Sequence, residues 1–147
     1  MNHPQGAKVK NFNPYLTFEG NCREAMEFYR KILNGEIVTM QTFAEAKQDS
    51  PEGFKDKIIH AELKAEGVHL MASDGMPGWK AKPGNMITLN IDLTDSLEQE
   101  KIFRALSEGG VVTMPLNDTF WGARYGMLTD RYGIQWMLNY QKQPQPA

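Results

Sequence analysis

Two histidines flank a glutamate in the stretch HAELKAEGVH, placing His60, Glu62 and His69 close together in the chain. An imidazole or a half-buried carboxylate can be tuned towards neutral pH, so His60 and Glu62 are the candidate general acid and base. Arg124 offers a planar cation that can grip a carboxylate or phosphonate at two points. The plainer readings are a solvated histidine beside a glutamate, and a Glu62–Arg124 ion pair. His60, Glu62 and His69 are also the residue types of a zinc site, although strand spacing keeps them two steps or more apart. The single thiol, Cys22, reads as a small packed residue rather than a nucleophile. His3 lies in a polar start and is discounted. No nucleophile, base and orienting group stand out as a set.

Such side chains act together only if the fold brings them to one surface, and the chain repeats itself in a way that says how. Residues 21–40, NCREAMEFYRKILNGEIVTM, match residues 95–114, DSLEQEKIFRALSEGGVVTM, at an offset of 74 in a length of 147. Glu24/Glu98, Arg30/Arg104, Gly35/Gly109, Val38/Val112, Thr39/Thr113 and Met40/Met114 are identical, and Tyr29/Phe103 and Ile32/Leu106 are similar. A period that long suits two copies of a small module, not a solenoid.

Each copy reads as βαβββ, which predicts an α+β chain, one domain with modules at 13–73 and 86–140 and a flexible polar tail at 141–147. Alternation marks the opening strands: Leu16 and Phe18 against Tyr15 and Thr17, then Ile87, Leu89, Ile91 and Leu93 against Met86, Thr88, Asn90 and Asp92. Capping boxes open the helices, Asn21 with Glu24 and Asp95 with Glu98, and Gly35 and Gly109 end them. Their sheet-facing stripes are Ala25, Phe28, Tyr29 and Ile32, then Leu97, Ile102, Phe103 and Leu106. Further strands are predicted at 36–43, 57–64 and 68–73, then at 111–114, 124–129 and 134–140. Residues 44–56 read as a mobile flap and 72–83 as the linker.

With aliphatic residues turned to the helices (Leu16, Phe18, Ile59, Ala61, Leu63, Leu70, Ala72, Ile87, Leu89, Ile91, Trp136 and Leu138), the opposite parity makes the other face. That face collects Tyr15, Thr17, His60, Glu62, His69, Met71, Met86, Thr88, Asn90, Arg124, Gln135, Met137 and Asn139. A two-residue hairpin at Glu66-Gly67 sets Glu62 opposite Met71 and Lys64 opposite His69. Phe120 and Trp121 would form an aromatic rim, and Asp74 would reach the cavity mouth.

A net charge of −2 leaves no basic stripe for phosphates, which argues against nucleic acid. No apolar run approaches the roughly 20 residues of a membrane span, and MNHPQGAKVKNF lacks the apolar stretch of a signal peptide. One cysteine fits a reducing compartment, so a cytoplasmic protein is expected.

The stretches PYLTFEGNCREAMEFY, HAEL, LMASDGMPG and FWGARYGMLTDRYGIQWML, with the duplicated βαβββ pattern, resemble the PhnB-like branch of the vicinal oxygen chelate superfamily. That superfamily contains glyoxalase I, bleomycin-resistance proteins and extradiol dioxygenases, and the resemblance covers most of residues 13–140. It implies a glyoxalase-like architecture: a curved, mostly antiparallel sheet with helices outside, a ligand on the concave face, and a homodimer. Metal-using members draw four His or Glu ligands from positions that fall here on Asn13 (or Pro14), Met71, Met86 and Met137. Thioether sulfur is soft and suits copper(I) better than zinc, nickel, iron or magnesium. The expectation is therefore a pocket without metal or cofactor, lined by polarizable side chains. Members of the branch often carry a demethylubiquinone methyltransferase label, which this sequence does not support, since it has no glycine-rich strand-turn-helix for a nucleotide-like methyl donor. The expected function is binding of a small organic molecule. The alternative is a lyase or isomerase of glyoxalase type acting on a small oxygenated or phosphonate-like substrate.

Overall fold

A computed structural model describes residues 6–142. His3 and the end of the expected tail lie outside the described residues. The elements run β1 (Tyr15–Phe18), α1 (Cys22–Leu33), β2 (Glu36–Thr42), β3 (Ile58–Ala65), β4 (Val68–Asp74), β5 (Leu89–Leu93), α2 (Ser96–Ser107), β6 (Val111–Asp118), β7 (Ala123–Thr129) and β8 (Gln135–Gln141). They form two four-stranded sheets, ordered β1-β4-β3-β2 and β5-β8-β7-β6. The β1–β4 and β5–β8 pairs are parallel and the rest antiparallel, so βαβββ occurs twice.

One apolar core joins the modules. Cys22, Ala25, Met26 and Tyr29 are the buried stripe of α1, and Ile102, Phe103 and Leu106 that of α2. They pack with Leu63, Leu70, Leu128, Trp136 and Leu138 from the sheets. Burial pushes the Cys22 thiol up to about 12, which leaves it un-ionised and inert at neutral pH. Tyr29 crosses from the first module to the second, its ring 5.4 Å from that of Trp136. Its hydroxyl donates to the buried Asp130 carboxylate at 2.6 Å.

The α2 stripe is turned from its expected setting. Leu97 is 75% exposed and Gln99 is buried instead. The Gln99 amide nitrogen donates to the carbonyls of Arg124 (2.8 Å) and Leu138 (3.2 Å), while its buried Oε1 has no partner among the described residues. Phe28 and Ile32 of α1 are only partly buried. Residues 44–56 return on themselves, the Ala44 amide donating to the Lys55 carbonyl at 3.2 Å. Phe43 is buried with its ring 5.1 Å from Phe54, and Glu45 and Thr42 bond each other.

The two helix caps also differ. Asp95 accepts from the Glu98 amide as its capping box requires, at 2.8 Å. Asn21 makes no such bond. The buried Asp74 takes its place, accepting from the Cys22 amide at 2.9 Å and from the Ile58 amide at 2.8 Å. A residue from the end of β4 therefore caps α1 and fastens the start of β3, and it does not reach a cavity mouth. Asp74→Ala is expected to lose about 2 kcal/mol of stability, the sum of a missing cap and an orphaned amide. Urea unfolding reads this directly, and a loss within error would mean that water substitutes fully.

Three local irregularities decide which side chains face where. An extra residue in β3 between the pairs Gln41↔His60 and Thr42↔Ile58 sends Ile58, not Ile59, into the core. β5 begins at Leu89, which leaves Met86 and Ile87 outside the strand, 95% and 78% exposed. β6 continues through Pro115 to Asp118, which an edge strand tolerates because its outer amides need no partner.

Candidate functional site

The face of the first sheet turned away from the helices carries a connected polar group. Tyr15, Met71 and Glu62 lie side by side on β1, β4 and β3. The expected hairpin register holds, with Lys64 opposite His69, and Gly67 adopts the positive φ of 73° its turn requires. His60, Glu62, His69 and Met71 therefore share one face. Glu62 is bonded through both oxygens, Oε1 to His69 Nε2 at 2.8 Å and Oε2 to His60 Nε2 at 3.2 Å. The bond from His69, then that from His60, holds the Glu62 carboxyl below its usual range. Its stabilising effect is present above the ordinary carboxylate range and lost as pH falls through the lowered value.

An ionised carboxylate only accepts, so His60 Nε2 carries a proton. With the ring uncharged, Nδ1 is the acceptor for the Tyr15 hydroxyl, 3.0 Å away. The two rings are inclined at 28°, centroids 5.7 Å apart. A hydroxyl, an imidazole and a carboxylate thus stand in sequence, an arrangement the sequence did not reveal. Tyr15 is 45 positions from His60 in the chain. Only the parallel pairing of β1 with β4 closes that gap.

The corresponding face of the second sheet is different. Its equivalent row is Asn90, Met137, Met127 and Met114, one residue from each strand. Beside it, Asp92 accepts from Asn90 at 3.1 Å and from Asn139 at 3.4 Å. Tyr125 lies opposite Asn139. Arg124 does not join this face. It lies opposite Tyr140 and shares the helix side with Gly126 and Leu128. The turn before β8 is five residues long, since Thr129 pairs with Gln135, and the longer turn reverses the parity expected for β7. Arg124 therefore meets neither Glu62 nor the other polar groups of the first sheet. Phe120 and Trp121 form the connection before β7, with Trp121 6.0 Å from Tyr125 and Phe120 fully exposed.

A cleft of about 620 Å³ lies between the modules. Pro14, Tyr15, Thr17, Trp79, Met86, Ile87, Leu89, Ile134 and Gln135 are among its lining. Of the expected ligand-contacting residues, Tyr15, Thr17, Met86 and Gln135 meet here. Gln135 Nε2 is also tied to the Ile87 carbonyl at 2.8 Å. Met71, His69, Asn90 and Met137 stay on the sheet faces, and Thr88 sits half-buried just ahead of β5.

The divalent ion that the superfamily implies does not fit these residues. Met71 and Met137 occupy matching rows with thioether donors, and Met86 stands apart from both sheets. Hard or borderline ions want oxygen and imidazole there. Among the described residues no three His, Cys, Asp or Glu side chains are placed to hold a metal ion. A nucleotide-like methyl donor fits no better. The turn from β1 to α1 has the single glycine Gly20 and that from β5 to α2 has none, so neither makes a glycine-rich cradle.

The architecture is that of the glyoxalase fold. A glyoxalase/bleomycin resistance protein/dioxygenase family enzyme from Burkholderia phytofirmans shares it at 15% identity and a TM-score of 0.60, over 86% of this chain and 96% of that one. Residues 10–139 match the family described as 3-demethylubiquinone-9 3-methyltransferase. The chain belongs to that PhnB-like family. Protein YjdN of Escherichia coli is 36% identical over 89% of this chain and 95% of its own length. Protein PA1353 from Pseudomonas aeruginosa superposes with a TM-score of 0.82 at 40% identity, over 92% of this chain and all of that one. A Bacillus cereus PhnB protein, described as a putative 3-demethylubiquinone-9 3-methyltransferase, gives 0.74 at 26% identity, over 89% and 99%. No helix among the described residues is long and apolar enough to cross a membrane.

Proposed function

We propose that this protein binds a small organic molecule, without a metal ion, in the cleft beside Tyr15 and over the adjoining concave sheet faces. The observation that carries the reading is the cleft itself. Its 620 Å³ is of the size that takes a small ligand, and its walls are mainly apolar, with Thr17, Lys82, Asn85 and Gln135 as polar points. A second copy of the chain fits this reading as the partner that covers the open faces. Phe12, Met114, Phe120 and Trp121 are exposed apolar side chains, and β2 and β6 are edge strands. The single buried cysteine accords with a cytoplasmic setting.

The amphiphilic dye 8-anilinonaphthalene-1-sulfonate is expected to bind saturably, one per chain. Ile87→Asp, which sets a charge in the apolar wall, is expected to weaken it about tenfold or more. Unsaturable binding that ignores Ile87→Asp would sink the reading. Sedimentation at micromolar concentration should give twice the chain mass, and a monomer would remove the partner from the account.

A second reading, a lyase or isomerase, is favoured by one observation: Glu62 is held ionised between two imidazoles on a face half open to solvent. Ion-paired carboxylates also occur as structural fixtures, so turnover is the distinguishing property.

A further inference from the structure

We propose that Tyr15 is a catalytic residue, the terminus of a hydroxyl–imidazole–carboxylate relay in which His60 is the base and Glu62 its orienter, and that it takes a proton from a small molecule lying in the cleft. The inference deepens the enzyme reading, and rests on it for turnover.

The geometry has the parts such a relay needs. The Tyr15 hydroxyl is 3.0 Å from His60 Nδ1, and the opposite ring nitrogen is 3.2 Å from the carboxylate. His69 holds the other carboxylate oxygen at 2.8 Å, fixing Glu62 in place. The tautomer that Glu62 imposes aims an unprotonated nitrogen at the phenol. Tyr15 is also the member that lines the cleft, and it is 47% exposed, while His60 and Glu62 sit further from solvent. A substrate would meet the hydroxyl first.

The duplication supplies a control within one chain. Set row against row, Tyr15, His60, Glu62 and His69 of the first module correspond to Asn90, Tyr125, Met127 and Gln135 of the second. The second module builds the same sheet with none of the four. The relay is therefore not something this fold needs for its own formation, and a role beyond packing accounts for it.

The step balances without an added reagent. The Tyr15 O–H bond breaks and its proton passes to His60 Nδ1. The phenolate oxygen accepts the substrate's proton in a new O–H bond, and the electron pair of the broken bond stays on the substrate. Glu62 offsets the charge gained by the imidazole. The reverse sequence returns the proton, at the same atom or at a neighbouring one.

An electrophile tests the relay without a known substrate. Benzenesulfonyl fluoride is attacked by an activated phenol: the oxygen–sulfur bond forms, fluoride leaves, and the phenol proton goes to His60. Peptide mass spectrometry of the intact protein after timed labelling is expected to show Tyr15 modified about tenfold faster than Tyr125 or Tyr140. His60→Gln should remove that advantage and flatten its pH profile, Glu62→Gln should reduce it about threefold, and Tyr15→Phe should abolish the adduct. Thermal unfolding of each variant separates a lost relay from a lost fold. Equal labelling of the three tyrosines, or an unchanged Tyr15 rate in folded His60→Gln, would overturn the proposal. Dye binding that fails while selective labelling persists would dispose of the binding reading alone.

Discussion

Asp130→Ala is expected to lower the unfolding free energy by about 4 kcal/mol, enough to shift the melting midpoint by about 8–16 °C in a chain of this size. Asp130 is buried in the turn between β7 and β8 and serves four donors. One oxygen accepts from the Tyr132 and Ile134 amides at 2.8 and 3.0 Å. The other accepts from the Trp136 indole at 2.8 Å and the Tyr29 hydroxyl at 2.6 Å. Burial, then the neighbouring Asp130, pushes the Tyr29 phenol far above its usual range, so it remains a donor at any ordinary pH. Alanine would strand all four donors and cut the polar tie between α1 and the second module. Tyr29→Phe removes one donor and leaves the rest satisfied, so its loss should be only about 1 kcal/mol. Guanidinium unfolding of both variants measures the ratio. Near-equal losses would mean that the Tyr29 tie accounts for nearly all that Asp130 contributes and that its bonds within the turn add little.

Gly110→Ala is the second large effect, expected at about 3 kcal/mol. A Cβ at Gly110 would sit 2.2 Å from the Thr129 carbonyl oxygen and 2.9 Å from Asp130 Cα. Both obstacles are backbone, so relief requires moving β6 away from β7 at the start of their pairing. Gly67→Ala makes the useful contrast. A Cβ there meets nothing, and the penalty is only the positive φ of 73°, about 1 kcal/mol. If the two substitutions cost the same, β6 moves away from Thr129 and Asp130 at little cost.

The repeat that is visible in the letters differs in one respect from the repeat in space. The helices keep the offset of 74, from Cys22–Leu33 to Ser96–Ser107. The left-handed residue after each helix is Asn34 in one and Gly109 in the other, an offset of 75. From there the strands run one residue out of phase with the sequence match. Met40 pairs with Ala61 and packs on the core, whereas Met114 pairs with Met127 and faces away. Two identical VTM segments thus point opposite ways, because a strand's side chains alternate and one added residue reverses them all.

The composition and patterning determined the βαβββ duplication, the first hairpin register, and the placement of His60, Glu62, His69 and Met71 on a common face, since each follows from local alternation and a two-residue turn. Tertiary structure alone decided that Tyr15 would stand against His60, that Asp74 would cap α1, and that Arg124 would turn to the helices. Those outcomes hang on strands and turns meeting across long stretches of chain, where one residue more or less reverses a face. Local pattern carries no record of that count.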